Sequence, residues 1–567
     1  MLIPEFIDFL NDMAKLRQSG GSISSKAILD AIERGDDIFL DENVAIDGDL
    51  DVGQLNLPKI NVNRVGCPKS YNAKNSVMII TSSIIIRNCR ISGYINFSNS
   101  LFSKSINFMK TQFEKWVSFA GSKFAEDVNF AGAVFLNEEP TNFLCTTFGK
   151  NVYFDGASIK DFVVNNSTFY AIASFWGTNF RVSNFIECEF YGETRFIGAN
   201  FNGYSTFDSA KFMDLTGFRT AASSIDFSSA IFAKGGHFGD AKFKKSVVFT
   251  WAQFISHNQF IEAAYFVGTE FQNRATFWEV LFDGVAHFGM CIFFDDVDFK
   301  LAKFLDDVDF GGSRFYGHAK FQRAKFNERA YFKDASFWKN LVLTSTRGYE
   351  MRLREANFNG GPCNSFSYAQ ISEKIRELES VPACPWDETC LWTKAHLWSK
   401  SCIMLDDSAI HHLFVRWNNI KDHIAYDAAS YLALTKNFRD LGEFSDADLC
   451  YYQFRKIEKN KKDINKSKII NMLEDFYYGY GVYPLKAIPA SFAIICIFAL
   501  LYLLCNRTFD LQSVGNNLYN STMIFTANSK GFNWNSSYLY ALSLFEGLLG
   551  WLLMALFLIT LGRNRPR

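Results

Sequence analysis

The chain has 567 residues, more than a single hydrophobic core accommodates, so several domains are expected. A formal net charge of −1 excludes the basic surface of a polyanion binder, and no nucleic-acid partner is expected. Twelve cysteines at irregular spacing do not form a secreted disulfide framework and predict reduced thiols in a cytosolic body.

Met1 to Leu16 carries Glu5, Asp8 and Asp12 and lacks the apolar run of a cleavable signal. Ile3, Phe6, Leu10, Met13 and Leu16 fall at helical spacing, which predicts an amphipathic helix over 3–17 ended by Gly20-Gly21. A second helix is predicted from Ser25 to Arg34, with Gly35 as its C-terminal stop. Residues 1–37 are therefore expected to be a helical cap over whatever follows.

From Ile38 the pattern becomes extended, and from Phe97 to Phe337 a phenylalanine recurs at steps of five and six. Phe277, Phe282, Phe288, Phe293, Phe299, Phe304, Phe310, Phe315, Phe321, Phe326, Phe332 and Phe337 show the alternation without a break, so the period is eleven. A helix would scatter these rings around its circumference, and a flat strand needs a period of two. A coil that turns a corner after each short segment buries them all along one axis, which is the signature of a solenoid. The residue two before each Phe is often small or β-branched (Ala241, Val247, Ala252), as expected if both point inward. The pairs Asp295-Asp296 and Asp306-Asp307 read as solvated face charges. The register slips near Phe135–Phe143, Ile159–Phe169 and Phe218–Phe227, where bulges or loops are expected.

This ladder resembles the pentapeptide-repeat family, in its phenylalanine-centred form with an eleven-residue double repeat. The resemblance implies a mainly β fold, a right-handed quadrilateral β-helix of about 22 residues per coil, here over residues 38–345. At strand spacing, about eleven coils between Phe97 and Phe337 would make a rod roughly 50 Å long.

Residues 346–425 read as an irregular or helical linker, with a last coil at Ala356–Phe358 and a helix around Ser372–Ser380. Cys384, Cys390, His396 and Cys402 are spaced by six, unlike the close ligand pairs of a zinc site, so no metal is assigned. Over 426–480 an αα-hairpin of tetratricopeptide type is expected, with Tyr431, Leu434, Phe438 and Leu441 on one face. Ser445 would cap its second helix, whose inner stripe is Ala447, Cys450, Tyr451 and Phe454. Two stretches, Asp446 to Arg455 and Gly479-Tyr480-Gly481-Val482-Tyr483-Pro484, resemble the linker of membrane-bound pentapeptide-repeat proteins of prokaryotes.

Residues 481–567 predict two transmembrane helices, about 485–505 and 538–561. Seven basic and two acidic residues between Arg455 and Lys468, and Arg563, Arg565 and Arg567 after the second span, place both termini in the cytoplasm of a multi-pass protein of the cell membrane. Two spans with a short polar segment between them resemble the two-helix pore module of potassium-type channels. That resemblance implies a tetramer, a re-entrant helix at Leu518–Thr526 and a filter at Thr526, Ala527, Asn528, Ser529, Lys530, Gly531 and Phe532. The filter departs from the glycine-rich pattern that supplies rings of carbonyls, and Lys530 would place positive charge near a fourfold axis. Glu546, ionisable within a span, and Gly550, which with Gly547 is one of two places where the second helix can bend, are the remaining candidates. Glu546 faces either a bundle interior or the nearby outer interface. The expected function is a cytosolic scaffold for binding or sensing, with an unknown protein partner, coupled to a channel-like module in the lipid bilayer. A non-conducting tether is the alternative. No phosphate-cradling Gly loop, H-E-x-x-H or G-x-S-x-G is present, so neither an enzyme nor a cofactor is expected.

Overall fold

The computed structural model describes residues 15–62, 76–256, 262–358, 403–405, 408–461, 466–506, 510–526, 528 and 537–563. These form two compact units that divide after Asp427.

The first unit is a β-solenoid of about 15 turns. Each regular coil has four short strands, and each strand pairs in parallel with its equivalent one coil on: Ile95 with Val117, Leu101 with Lys123, Ile106 with Val128 and Gln112 with Val134. The ladder phenylalanines fill the interior, and Phe277, Phe282, Phe288, Phe299 and Phe310 have no exposed surface. Rings stack face to face on their equivalents, as in Phe282–Phe304 (4.7 Å) and Phe304–Phe326 (4.9 Å). Across the coil they meet edge to face, as in Phe277–Phe288 (5.5 Å, 90°). Both arrangements satisfy the aromatic quadrupole.

The period of eleven has a backbone origin. Every second corner is a turn whose third residue is left-handed: Asn99, Lys110, Gly121 and Gly132 all have φ between +56° and +69°. Such turns close by a hydrogen bond to the carbonyl three residues back, as from Thr111 N–H to Phe108 (3.1 Å) and Ser122 N–H to Phe119 (3.0 Å). The residue that closes the turn points inward and must be small. Where it is polar it reaches one coil back: Thr111, Ser122, Thr178, Thr269 and Thr346 each donate to a carbonyl at 2.6–2.7 Å. Cys188 and Cys291 occupy the same position and donate to Val164 and Phe266 carbonyls. Burial pushes the Cys188 thiol up to about 12, so it is an inert core group.

Several expectations change at the ends and corners. Residues 15–19, placed at the end of a helix by periodicity, are a strand, Lys15–Ser19, paired in parallel with Asp37–Asp41; residues 3–14 lie outside the described residues. Helix α1 (Ser25–Arg34) does form, with Ser24 accepting at its start and left-handed Gly35 (φ +80°) at its end. It sits within the first coil, between the strands Ser22–Ser24 and Asp37–Asp41. At the other end the coils do not stop near residue 345 or at Phe358. Ile403-Met404 pairs with Leu341-Val342, and Ala409–Phe414 pairs with Arg347–Arg352, so the coils continue beyond residue 402. All three expected slips are changes of coil length. Against the regular turn from Leu101 to Lys123, the turn from Lys123 to Thr147 is longer and that from Lys211 to Ile231 is shorter. At the third, Ile159 to Phe169, the turn from Thr147 to Thr168 is also shorter than the regular one, and the single strand Ser158–Val163 runs through a corner. A fourth change was hidden: Gln253 pairs with Leu281, a longer turn than any of these. Phe254, Phe260 and Phe266 keep a step of six, so the insertion leaves no gap in the ladder.

Asp296 and Asp307 are not simply solvated. Each accepts the backbone N–H of the equivalent residue one coil on, His318 (2.8 Å) and Arg329 (3.0 Å), and each pairs with a cation, Lys320 and Arg329. Burial would raise the Asp296 carboxyl, but His318, Lys320 and the His318 N–H hold it below the usual carboxylate range. His318 is buried above it, and desolvation lowers its pKa to about 4 although Asp296 opposes this.

The second unit is helical: α2 (Ala428–Asp440), α3 (Phe444–Lys461), α4 (Lys466–Tyr478), α5 (Ala487–Asn506), α6 (Leu511–Phe525) and α7 (Ser537–Arg563). Tyr431, Leu434 and Phe438 of α2 and Ala447, Cys450 and Phe454 of α3 are buried, whereas Leu441 and Tyr451 of the expected stripes are only partly so, and left-handed Gly442 makes the turn between the helices. Helix α3 starts at Phe444, so Ser445 lies inside it rather than capping it.

Candidate functional sites

Two clusters in the helical unit, and one outward surface of the solenoid, bring chemistry-bearing residues together.

The first cluster joins the two segments that stand out in the sequence. Gly479, Tyr480 and Gly481 are consecutive left-handed residues (φ +55°, +57°, +84°) and turn the chain sharply after α4. A methyl group on Gly479 would lie 2.9 Å from the Tyr483 ring, so that position tolerates no side chain. Tyr452 of α3 packs edge to face on Tyr483 (5.0 Å), and the Arg455 guanidinium lies over the Tyr480 ring (5.0 Å). Asp475 is the electrostatic centre: it accepts from Tyr452 (3.1 Å) and Lys459 (2.7 Å), and Lys486 lies at 3.8 Å. Those groups outweigh the effect of burial and hold its carboxyl below the usual range. The Tyr480 hydroxyl and Arg455 Nε are buried without a hydrogen-bond partner among the described residues. Arg455 Nη2 donates to both Asn471 (2.7 Å) and Glu474 (3.2 Å).

The second cluster lies among α5, α6 and α7. Of the candidate filter, Thr526 is the exposed residue that ends α6, its N–H bonded to the Thr522 carbonyl (3.1 Å). Asn528 donates its N–H to the Met523 carbonyl (2.8 Å). Ala527, Ser529, Lys530, Gly531 and Phe532 lie outside the described residues. Gly550 lets α7 press against the end of α6: a methyl group there would lie 2.1 Å from the Phe525 carbonyl oxygen. Glu546 has no exposed surface. Its carboxyl meets the Tyr502 hydroxyl of α5 (2.6 Å) and the Ser521 hydroxyl of α6, and Ser521 also reaches the Ile495 carbonyl (2.9 Å). Phe498, Tyr502, Ile524 and Leu539 close over it as an apolar cluster. Nearby, Tyr477, Ile488, Phe492, Phe525, Met554 and Phe557 line a cavity of about 290 Å³.

The outward surface of the solenoid is not uniformly polar. Trp176 is 62% exposed and Tyr170 56%, and Tyr170 stacks on Tyr191 of the next coil (5.3 Å). Trp251 and Trp278 form a second exposed pair (6.1 Å), and Tyr316 stacks on Trp338 (4.4 Å). Sequence reasoning missed these columns, although a signal was there. Tyr170, Trp176, Tyr191, Trp278, Tyr316 and Trp338 each directly follow a ladder Phe, and successive strand residues face opposite sides.

The family model described as pentapeptide repeats, 9 copies, matches residues 277–325 and, eleven residues further on, 288–336. The coils over residues 277–336 match pentapeptide repeats. No curated protein and no solved structure matches the chain. The matched stretch of pentapeptide repeats covers the most regular coils, where the turns are of one length: Leu281 pairs with Lys303, Ile292 with Arg314, Lys303 with Lys325 and Arg314 with Ser336. The helical unit lies outside it. Two of its segments, Pro484–Asn506 and Ser537–Leu561, are long and apolar enough to cross a membrane. Among the described residues no group of three or more His, Cys, Asp or Glu side chains is arranged to hold a metal. The cysteine and histidine series from Cys384 to Cys402 lies outside them.

Proposed function

We propose that this is an integral membrane protein whose pentapeptide-repeat solenoid is a rigid docking surface joined, through α2–α4, to a channel-like membrane module. The observation that carries the membrane half is exposure. A soluble protein hides the apolar residues of its core helices, whereas Ile488, Phe492 and Leu500 of α5 and Leu548, Trp551 and Ile559 of α7 are each more than half exposed. Lipid is the environment in which such surfaces are stable. The docking half is supported by the exposed aromatic columns at Tyr170, Trp176 and Tyr191, side chains enriched where proteins meet.

In this reading the junction around Asp475 ties the adaptor helix α3 to the start of the first span through Lys486, and so passes strain from one to the other. Both termini face the cytoplasm, by the excess of basic residues from Arg455 to Lys468. The short helix α6, held between the two long ones at Gly550, is the arrangement a pore helix requires, and four copies would complete a pore. A second reading is favoured by Lys530 in the filter position: a tethered scaffold that conducts nothing. Ion flux into vesicles carrying the full-length protein, together with its subunit count in detergent, separates the two. Four subunits and a flux that Lys530→Ala alters support conduction. A stable monomer with no flux in any salt leaves the tether.

A further inference from the structure

We propose that Glu546 is a proton-binding site, and that the folded three-helix module holds its side chain as the neutral carboxylic acid. This deepens the membrane reading, but it rests on the arrangement of oxygen atoms in the module.

Charge weighs first. Glu546 is fully buried, and its carboxyl oxygens meet the hydroxyls of Tyr502 from α5 and Ser521 from α6. Neither is a cation. A buried carboxylate needs a positive partner or several strong donors, and among the described residues the hydrogen bonds to it come from these two hydroxyls, of which that of Ser521 is shared with the Ile495 carbonyl.

The hydrogens can also be counted. Ser521 has one hydroxyl hydrogen and two oxygen neighbours, the Ile495 carbonyl and a Glu546 carboxyl oxygen. The Ile495 carbonyl can only accept. If Glu546 is an anion, Ser521 must donate to one neighbour and leave two oxygens facing each other with no hydrogen between them. If Glu546 carries a proton, it donates to Ser521, Ser521 donates to Ile495, and Tyr502 donates to the other carboxyl oxygen. Each of these three contacts then contains one hydrogen.

Room is short as well. Tyr502 lies 2.6 Å from Glu546 and Ser521 lies 2.9 Å from the Ile495 carbonyl, which are hydrogen-bond separations. An alkali cation would have to sit among these oxygens and push them apart.

The proton therefore links all three helices. Its loss to water or hydroxide would oblige Ser521 to turn from Ile495 to the carboxylate, releasing the bond between α5 and α6. Infrared difference spectroscopy of the full-length protein in detergent tests this. At neutral pH a carboxylic-acid carbonyl band is expected that shifts in D2O, disappears in Glu546→Gln and moves in frequency in Tyr502→Phe. If Glu546→Gln assembles poorly, Glu546→Asp serves as the second assignment, because a displaced acid retains a band at a different frequency. A carboxylate signature at neutral pH that Glu546→Gln removes overturns the proposal. So does an acid band abolished by sodium at constant pH, which would assign the site to an alkali ion. Extraction of the protein from cells with alkaline carbonate would defeat the membrane reading and leave the infrared result standing.

Discussion

At the scale of single residues, the corners carry the most information. Gly156 is left-handed (φ +66°) and a methyl group there would touch nothing within 4 Å. Gly156→Ala thus isolates the backbone term and is expected to destabilise the solenoid by about 1 kcal/mol, measured as a lower denaturation midpoint. The equivalent corners filled by Trp251, Met290 and Leu301 already bear this strain. His318 supplies a pH signature. Between its folded pKa of about 4 and the ordinary value of 6.5, the unfolded chain binds a proton that the folded chain refuses. Stability is therefore complete above about pH 6.5 and falls as the pH drops through that window, by roughly 3 kcal/mol at most. His318→Asn keeps an acceptor for the Asn340 N–H and should flatten the slope between pH 6.5 and 4. An unchanged slope would show that the imidazole is not the source. The sequence displayed the periodic Phe but not these residues: a left-handed Leu or a buried His looks like any other until its neighbour one coil away is known.

At the scale of elements, each coil depends on its neighbours alone, so damage should stay local. Phe304 lies between Phe282 and Phe326 with about 1% of its surface exposed. Phe304→Ala leaves a cavity and should cost about 3–5 kcal/mol. Hydrogen exchange should accelerate in the coils on either side and remain unchanged near Phe113. Loss of protection along the whole unit would instead mean a single cooperative core. In the helical unit, Gly479→Ala meets the Tyr483 ring and a left-handed backbone together, and should lower the melting temperature of the detergent-extracted protein by several degrees. Element types in the Phe ladder and in α2–α3 were readable because their periods, eleven and 3.6, cannot be confused. The strand Lys15–Ser19 was not: its partner, Asp37–Asp41, supplies what its own residues do not advertise. The Glu546 site was half legible. An isolated acid in an apolar run is conspicuous, but Tyr502 and Ser521 are distant in the chain, with nothing in the sequence to connect them.

For the whole molecule, the native thiols report topology. Cys505 is exposed near the end of α5, whereas Cys188, Cys291 and Cys450 are buried. If the segment after α5 faces outward, a membrane-impermeant maleimide applied to intact cells should label the protein at Cys505, and Cys505→Ser should remove that labelling. Labelling only after the membrane is opened would invert the proposed orientation.

Turns of unequal length share one interior. Those running from Lys211 to Ile231, Leu101 to Lys123, Lys123 to Thr147, Gln253 to Leu281 and Arg347 to Ala409 grow in that order. Yet the column of rings inside stays continuous: Phe238 meets Phe266 at 4.7 Å as closely as Phe299 meets Phe321 at 5.0 Å. The axial stack sets the pitch, and the corners are free to lengthen. A foreign peptide spliced beside Pro140 should ride on the surface without shifting the turns beyond it, which makes this chain a ruler with interchangeable markings.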